Sequence, residues 1–427
     1  MRSQRARTML LCALLGVICV VLPGCVTPTM TGPLLVPSGP PQNSDTQADP
    51  NDGLTEAIND FGLELVSAAS ANDNDNTIVS PVSVHAALSM TANGADGETA
   101  GQMREVLRTD AMTTMDANNQ WASLLTGLGS RGTSQRLEIA NSLWASDDVA
   151  FMKPFIDADR DYFGAQVSTL DFERDDVASA INGWVSKNTR EMITRIVDDV
   201  PDDVGLYLAN AAYFEGDWVT PFDHERTLEQ PFTRPDGSMR DVEMMHMTEQ
   251  MPYYENTVLK ATRLMYKGND SAFYVLLPKP GVSLDAALAS TQAAEFAEMR
   301  AAMTSGAMTE VILGLPKLDA DFSSRLKEPL SAMGMPRAFD EREAQFSDIA
   351  DVLGPLYIGD VYHKAKIRVD EKGTVAAAAT AVEIAALSAA PTVERAMVVC
   401  DRPYAFAIVD ERSGAMLFLG TINDPGE

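Results

Sequence analysis

Cysteine is nearly missing from this chain, with four in 427 residues. Three of them, Cys12, Cys19 and Cys25, crowd into the amino terminus. Cys12 and Cys19 lie in a stretch that reads as an export signal and Cys25 would carry a lipid, so Cys400 is left without an internal partner and no disulfide framework can brace the fold. The domain must rest on its apolar core. Cys400 sits in "MVVCDRPYAF", a strand-like context that marks a buried structural thiol and not a reactive one. Histidine is as rare: His85, His224, His246 and His363 are the four, none at a helical or cysteine-paired metal spacing, so no zinc and no cofactor is expected. Positive charge is scarce too. The 33 Lys and Arg face 61 Asp and Glu, a formal charge of −28, which argues against nucleic acid, heparin-like polyanions and anionic lipid as partners.

Long apolar runs are also lacking, except for Met9 to Leu22 behind Arg2, Arg5 and Arg7. That run is too short for a comfortable bilayer span and fits the core of a signal peptide over residues 1–24. Leu22 to Cys25, "LPGC", resembles the lipobox of exported bacterial lipoproteins, which would make Cys25 a lipidated first residue; ordinary signal cleavage and free secretion is the alternative. Residues 25–53 are rich in Pro, Gly and Ser without an apolar period. They read as an extended tether with no core of its own. From Leu54 onward neither a second linker nor an internal repeat occurs, so residues 54–427 read as one domain.

Within that domain helical signals come first. "SPVSVHAALSM" places Ser80 at an N-cap, with Pro81 in the first helical position. "DVASAINGWVSKNTREMI" reads as an amphipathic helix with Ile181, Trp184 and Val185 on one face. Strand-like runs follow: "LEIANSLWA", "GLYLANAAYF", "SAFYVLLP", "TEVILGLP", "HKAKIRVDE", and the pair "AFAIVD" and "AMLFLGTI" around the turn "ERSG". The fold class is α+β with large mixed sheets.

Candidate chemistry is thin. "GLGSRG" (Gly127, Gly129, Gly132) has the letters of a dinucleotide fingerprint, but it follows a helix and precedes a strand, the reverse of the order that aims amides at a pyrophosphate. "MMHM" (Met244 to Met247), with Met251, has soft ligands for copper, yet methionine is a common core gap-filler. No Gly-x-Ser-x-Gly elbow is present, and His363 in "VYHKAKIRV" reads as a core histidine before it reads as a base. Nothing here argues for an enzyme.

The stretch with an unusual composition is "VDEKGTVAAAATAVEIAALSAAPT", Val369 to Thr392. As a helix its apolar residues collect on no single face. With a period of two, Thr374, Ala376, Ala378, Thr380, Val382, Ile384 and Ala386 fall on one uncharged face and Glu383 on the other. A one-residue slip would bury Glu383. Alanine holds an exposed strand poorly, so the composition suits a loop that later becomes an inserted strand.

At this point the residues resemble a family. "EKGTVAAAAT" is similar to the reactive-loop hinge of inhibitory serpins, and "TIVSPVSVHAALSMTANGADGETAGQM", "INGWVSKNTREMI", "LANAAYFEGDWVTPF", "VLLPK", "FSDI", "YHKAKIRVDEKGT" and "DRPYAFAIVDERSGAMLFLGTINDP" resemble serpin signature segments in serpin order. The resemblance implies three large β-sheets, about eight or nine helices and an exposed reactive loop. It implies a suicide inhibitor of serine proteases that contributes no catalytic residue and needs no cofactor. By the family's spacing from Glu371 the scissile bond falls between Leu387 and Ser388, with Ile384, Ala385 or Ala386 the bait if the register differs. The hinge would comprise Glu371, Gly373, Thr374, Ala376, Ala377, Ala378, Ala379 and Thr380.

The resemblance also assigns a hydrogen-bonded cluster under the parting strands to Ser80, Ser83, Asn210 and His363. A group where insertion begins would contain Trp218, Lys317 and Glu371, with an ion pair from Lys317 to Glu371. Leu387 suits the deep apolar pocket of chymotrypsin-like or subtilisin-like enzymes; papain-like cysteine proteases are further partners that the family implies. The chain would act as a monomer, lipid-anchored at the cell envelope or secreted. A non-inhibitory serpin, acting as a carrier or binding protein, is the competing reading.

Overall fold

The computed structural model describes residues 34–36, 40–41, 53–70, 75–130, 132, 134–200, 205–351, 356–374 and 395–426. A seven-stranded sheet runs in the order β1 (Leu34–Val36), β4 (Gln166–Leu170), β3 (Gln135–Ser146), β5 (Leu206–Asp217), β13 (Gly373–Thr374), β12 (Ile358–Val369) and β11 (Leu318–Arg325). β5 and β12 also pair directly, in parallel, from Leu206 opposite Ile358 up to Tyr213 opposite Lys366. β3 is antiparallel to β5, and β11 to β12.

A second path of strands runs β14 (Arg395–Val399), β10 (Met308–Pro316), β7 (Met239–Glu255), β8 (Leu259–Met265), β9 (Ser271–Pro278), β15 (Tyr404–Asp410), β16 (Met416–Ile422) and β2 (Thr77–Val79), with β6 (Leu228–Thr233) beside β7. The 17-residue β7 joins two sheets: its first part pairs with β6 and β10, its last three residues with β8. Three sheets result, as expected. Nine α-helices are found among the described residues: α1 (Leu54–Ala68), α2 (Pro81–Ala92), α3 (Gly97–Val106), α4 (Thr114–Gly129), α5 (Lys153–Ala158), α6 (Val177–Asn188), α7 (Leu284–Ala289), α8 (Ala293–Ser305) and α9 (Lys327–Met333).

The seven-stranded sheet is apolar on both faces, which is why β5 is buried at nearly every position. Leu208, Ala212 and Phe214 point to the main core with α2 and β16, while Ala209, Ala211 and Tyr213 join Trp184 and Val185 of α6 on the other side. Ile181, Trp184 and Val185 are buried as the helical period requires. The helix is shorter than its periodicity suggested. It stops at Asn188, because Arg190 and Glu191 adopt left-handed backbone with φ of 50° and 65°. Met244, Met245, Met247 and Met251 pack in the main core, the gap-filling role of a flexible thioether side chain.

Two expectations need correction. Ser80 does stand at the N-cap of α2 before Pro81, but its hydroxyl donates to Leu417 O at 2.7 Å and caps no helical amide. The segment 25–53 is not a free tether throughout: Leu34–Val36 adds a strand antiparallel to β4. Pro41 is buried, in a groove of about 520 Å³ between α4 and β3 that Leu125, Leu137, Ile139 and Phe163 help to line.

Candidate functional site

Above Tyr213 and Lys366 the ladder between β5 and β12 gives way to β13. Gly373 lies opposite Asp217, and Thr374 lies opposite Gly216 on one side and Val369 on the other, antiparallel to both neighbours. The chain leaving β12 thus reverses and re-enters the sheet beside it. Asp370 builds the reversal: its carboxylate accepts from the amides of Lys372 and Gly373 at 2.9 and 3.3 Å, and its own amide donates to Gly373 O at 2.9 Å. A Cβ on Gly373 would stand 2.1 Å from Gly216 O. Glycine is therefore required by close backbone approach. Thr374 is fully buried, its hydroxyl 2.7 Å from the Tyr266 hydroxyl, and Tyr266 stacks on Trp218 with ring centres 4.5 Å apart.

The root of this hinge is tied to the segment that follows β5. Trp218 N donates to Lys372 O and Phe222 N to Glu371 O, both at 2.7 Å. The Trp218 indole N–H donates to Asp370 O at 3.0 Å. One oxygen of Glu371 meets Lys317 Nζ at 3.0 Å, His224 Nδ1 at 2.9 Å and the Thr227 hydroxyl at 2.8 Å. Burial alone would raise the Glu371 pKa, but hydrogen bonds from His224, its own backbone, Lys317 and Thr227 outweigh that and hold it down at about 2. The ion pair from Lys317 to Glu371 is present, and Lys317 also reaches Glu243 at 3.1 Å.

Further down the lane a second cluster fastens β5 to β12. Asn210 and His363 face each other across the ladder. Both are fully buried. His363 Nε2 accepts from the Ser80 amide at 3.2 Å, so Nδ1 carries the proton and donates to Asn210 Oδ1 at 2.5 Å. Asn210 Nδ2 in turn donates to Ser83 Oγ at 2.5 Å and to Asn141 Oδ1. Burial drives the His363 pKa down to about 3, so the ring stays neutral and fixed in one tautomer. An imidazole held this way is a fastener and not a base.

The structure thus brings Ser80, Ser83, Asn210 and His363 together, and likewise Trp218, Lys317 and Glu371, with Gly373 and Thr374 between the strands. Asn141, His224, Thr227 and Tyr266 belong to the same two groups and were not anticipated. Asn141 carries a signal in hindsight, a lone amide in the strand run "LEIANSLWA"; the other three become partners only through tertiary contact. Ala376, Ala377, Ala378, Ala379, Thr380, Leu387, Ser388 and Cys25 lie outside the described residues. Cys400 is fully buried, and burial pushes its thiol well above the usual range, which makes it a poor nucleophile.

Comparison with known proteins identifies the family and the fold. The family model described as serpin (serine protease inhibitor) matches residues 56–425. A serpin-like protein of Thermococcus kodakarensis is 31% identical over 87% of this chain and 86% of its own. Intracellular coagulation inhibitor 2 of Tachypleus tridentatus is 31% identical over 88% and 91%. Among solved structures, the thermophilic serpin tengpin in its native state superposes with a TM-score of 0.82 at 30% identity, covering 92% of this chain and 99% of that one. Human thyroxine-binding globulin complexed with thyroxine has the same fold, with a TM-score of 0.79 at 23% identity over 88% and 100%. Matched by the family model over residues 56–425 and superposing on a serpin structure at 30% identity, this chain belongs to the serpin family.

Proposed function

We propose that this protein is a suicide-substrate inhibitor of serine proteases of the chymotrypsin-like or subtilisin-like kind, with Leu387–Ser388 as the bond offered. The observation that carries the reading is β13, a first rung of inserted strand already seated between β5 and β12. Continuing its register down the lane sets Ala376 against Phe214 and Ile367, Ala378 against Ala212 and Ala365, and Thr380 between Asn210 and His363. Thr374 is buried against Tyr266 of the main core, so the even face that follows it is the uncharged one. Small residues pass there; the Thr380 hydroxyl meets the polar pair that its arrival separates.

The chemistry belongs to the protease. Its serine oxygen attacks the Leu387 carbonyl, the Leu387–Ser388 amide bond breaks, Ser388 leaves as the new amine, and Leu387 remains as an ester. The freed strand then zips from Thr374 downward. In the continued register Ile384 reaches Leu206, where β5 begins, so Leu387 ends beyond the bottom of the sheet. From Thr374 to Leu387 an extended chain covers about 43 Å. The protease is dragged that distance before water can release it, and its active site is pulled out of register by a short tether. Papain-like cysteine proteases, through a thioester, are a second target class. Export by residues 1–24 and a lipid on Cys25 complete the proposal and place the inhibitor at the cell envelope.

The test is incubation with chymotrypsin, followed by a denaturing gel and fragment masses. A denaturant-resistant adduct with a released peptide beginning at Ser388 is the expected result. Clean cleavage with full protease activity would refute inhibition of that class.

A further inference from the structure

Glu371 continues β12, whereas His224 and Thr227 follow β5, so their bonds cross the opening through which the loop enters. Its carboxylate is well covered, with the side chain 13% exposed, while His224 stands 83% exposed at 2.9 Å from it. The other charges nearby are engaged elsewhere. Lys317 is shared with Glu243 of β7, Asp223 accepts from the Glu225 amide, and Asp370 holds the hinge turn and faces Arg368 at 3.8 Å. Arg226 acts on His246, whose pKa falls through burial and that charge. Lys372 enters through its backbone. His224 is thus the side chain at this carboxylate that can stand there either neutral or as a cation.

Resting on the proposed insertion mechanism, we propose that His224 is a positioning residue for loop insertion: once protonated it sets a second cation on Glu371 and keeps Gly373 and Thr374 in their rungs. The neutral ring donates the same hydrogen bond through Nδ1 but adds no charge. The hinge is accordingly held more firmly in acid than in mild alkali. A seated first rung spares the incoming strand its nucleation step, so trapping gains where His224 is charged.

The experiment compares the full chain with His224→Gln. Second-order trapping rates with chymotrypsin are measured from pH 5.5 to 8, and their ratio cancels the protease's own titration. The wild-type to variant ratio should rise about two- to fivefold toward acid, the scale of an exposed charge pair, and flatten in high salt. His246→Gln should leave the profile intact. A ratio independent of pH overturns the proposal. Should no adduct form at all, the inhibitor reading fails separately, and Trp218 fluorescence, isolated by subtracting Trp218→Phe, decides on the hinge itself. A titration lost in His224→Gln upholds the latch; an identical or absent titration in both proteins removes it.

Discussion

Single residues hold together the proposed gate, and each makes a distinct prediction. His363 has its pKa lowered to about 3 by burial, so the folded state prefers the neutral ring more than the unfolded chain does. Its contribution to stability is complete above about pH 6.5, the ordinary value, and is lost as pH falls from there toward 3. Buried His85, lowered to about 4, adds in the same direction. Denaturant midpoints should therefore drop between pH 7 and 5, and less steeply in His363→Gln than in the parent; equal slopes would clear His363 of the effect. At Thr374 the side chain is fully enclosed beside Tyr266. Thr374→Arg must withdraw the hinge, and the share of encounters ending as cleaved loop instead of adduct should rise several-fold on a gel. Gly373→Ala should act alike, since its Cβ would collide with Gly216 O.

At the scale of elements, the composition of Val369 to Thr392 already carried the alternation that separates Glu383 from an uncharged row. Burial of Thr374 agrees with that face. The pairing of β5 with β12 was not readable, because it joins segments far apart in sequence. The same holds for Ser80, whose N-cap position was legible but whose hydroxyl turns to Leu417, and for Leu34–Val36, whose strand depends on the free edge of β4. His224 and Thr227 gave no local signal since their partner, Glu371, comes from another part of the chain. The register yields one more expectation. Continued to its end, it sets Glu383 opposite Asp360 and Tyr207. Asp360 is itself largely buried with a pKa raised by burial, and its cation Arg325 stands 3.6 Å away. Two acids meeting there oppose the last rungs. Asp360→Asn should make the loop-cleaved form melt higher, by several degrees, while a lower or unchanged melt would show that the strand stops short or lies in another register.

At the scale of the whole molecule, a large sheet closes directly across β5 and β12, the place that the proposed function assigns to the loop as a further strand. Under the proposed mechanism the native fold is a kinetic state, held by the cluster around His363 that joins β5 to β12, and its deeper minimum has the loop as a central strand. The proposed insertion would add a ladder on both sides and bury the row from Ala376 to Ile384. The most direct test is a pair of thermal melts, one on the intact protein and one after a protease has nicked the loop near Leu387 without being trapped. Insertion predicts that the nicked protein melts tens of degrees higher, in the hyperstable range above about 90 °C; a nicked protein that melts where the intact one does would contradict it.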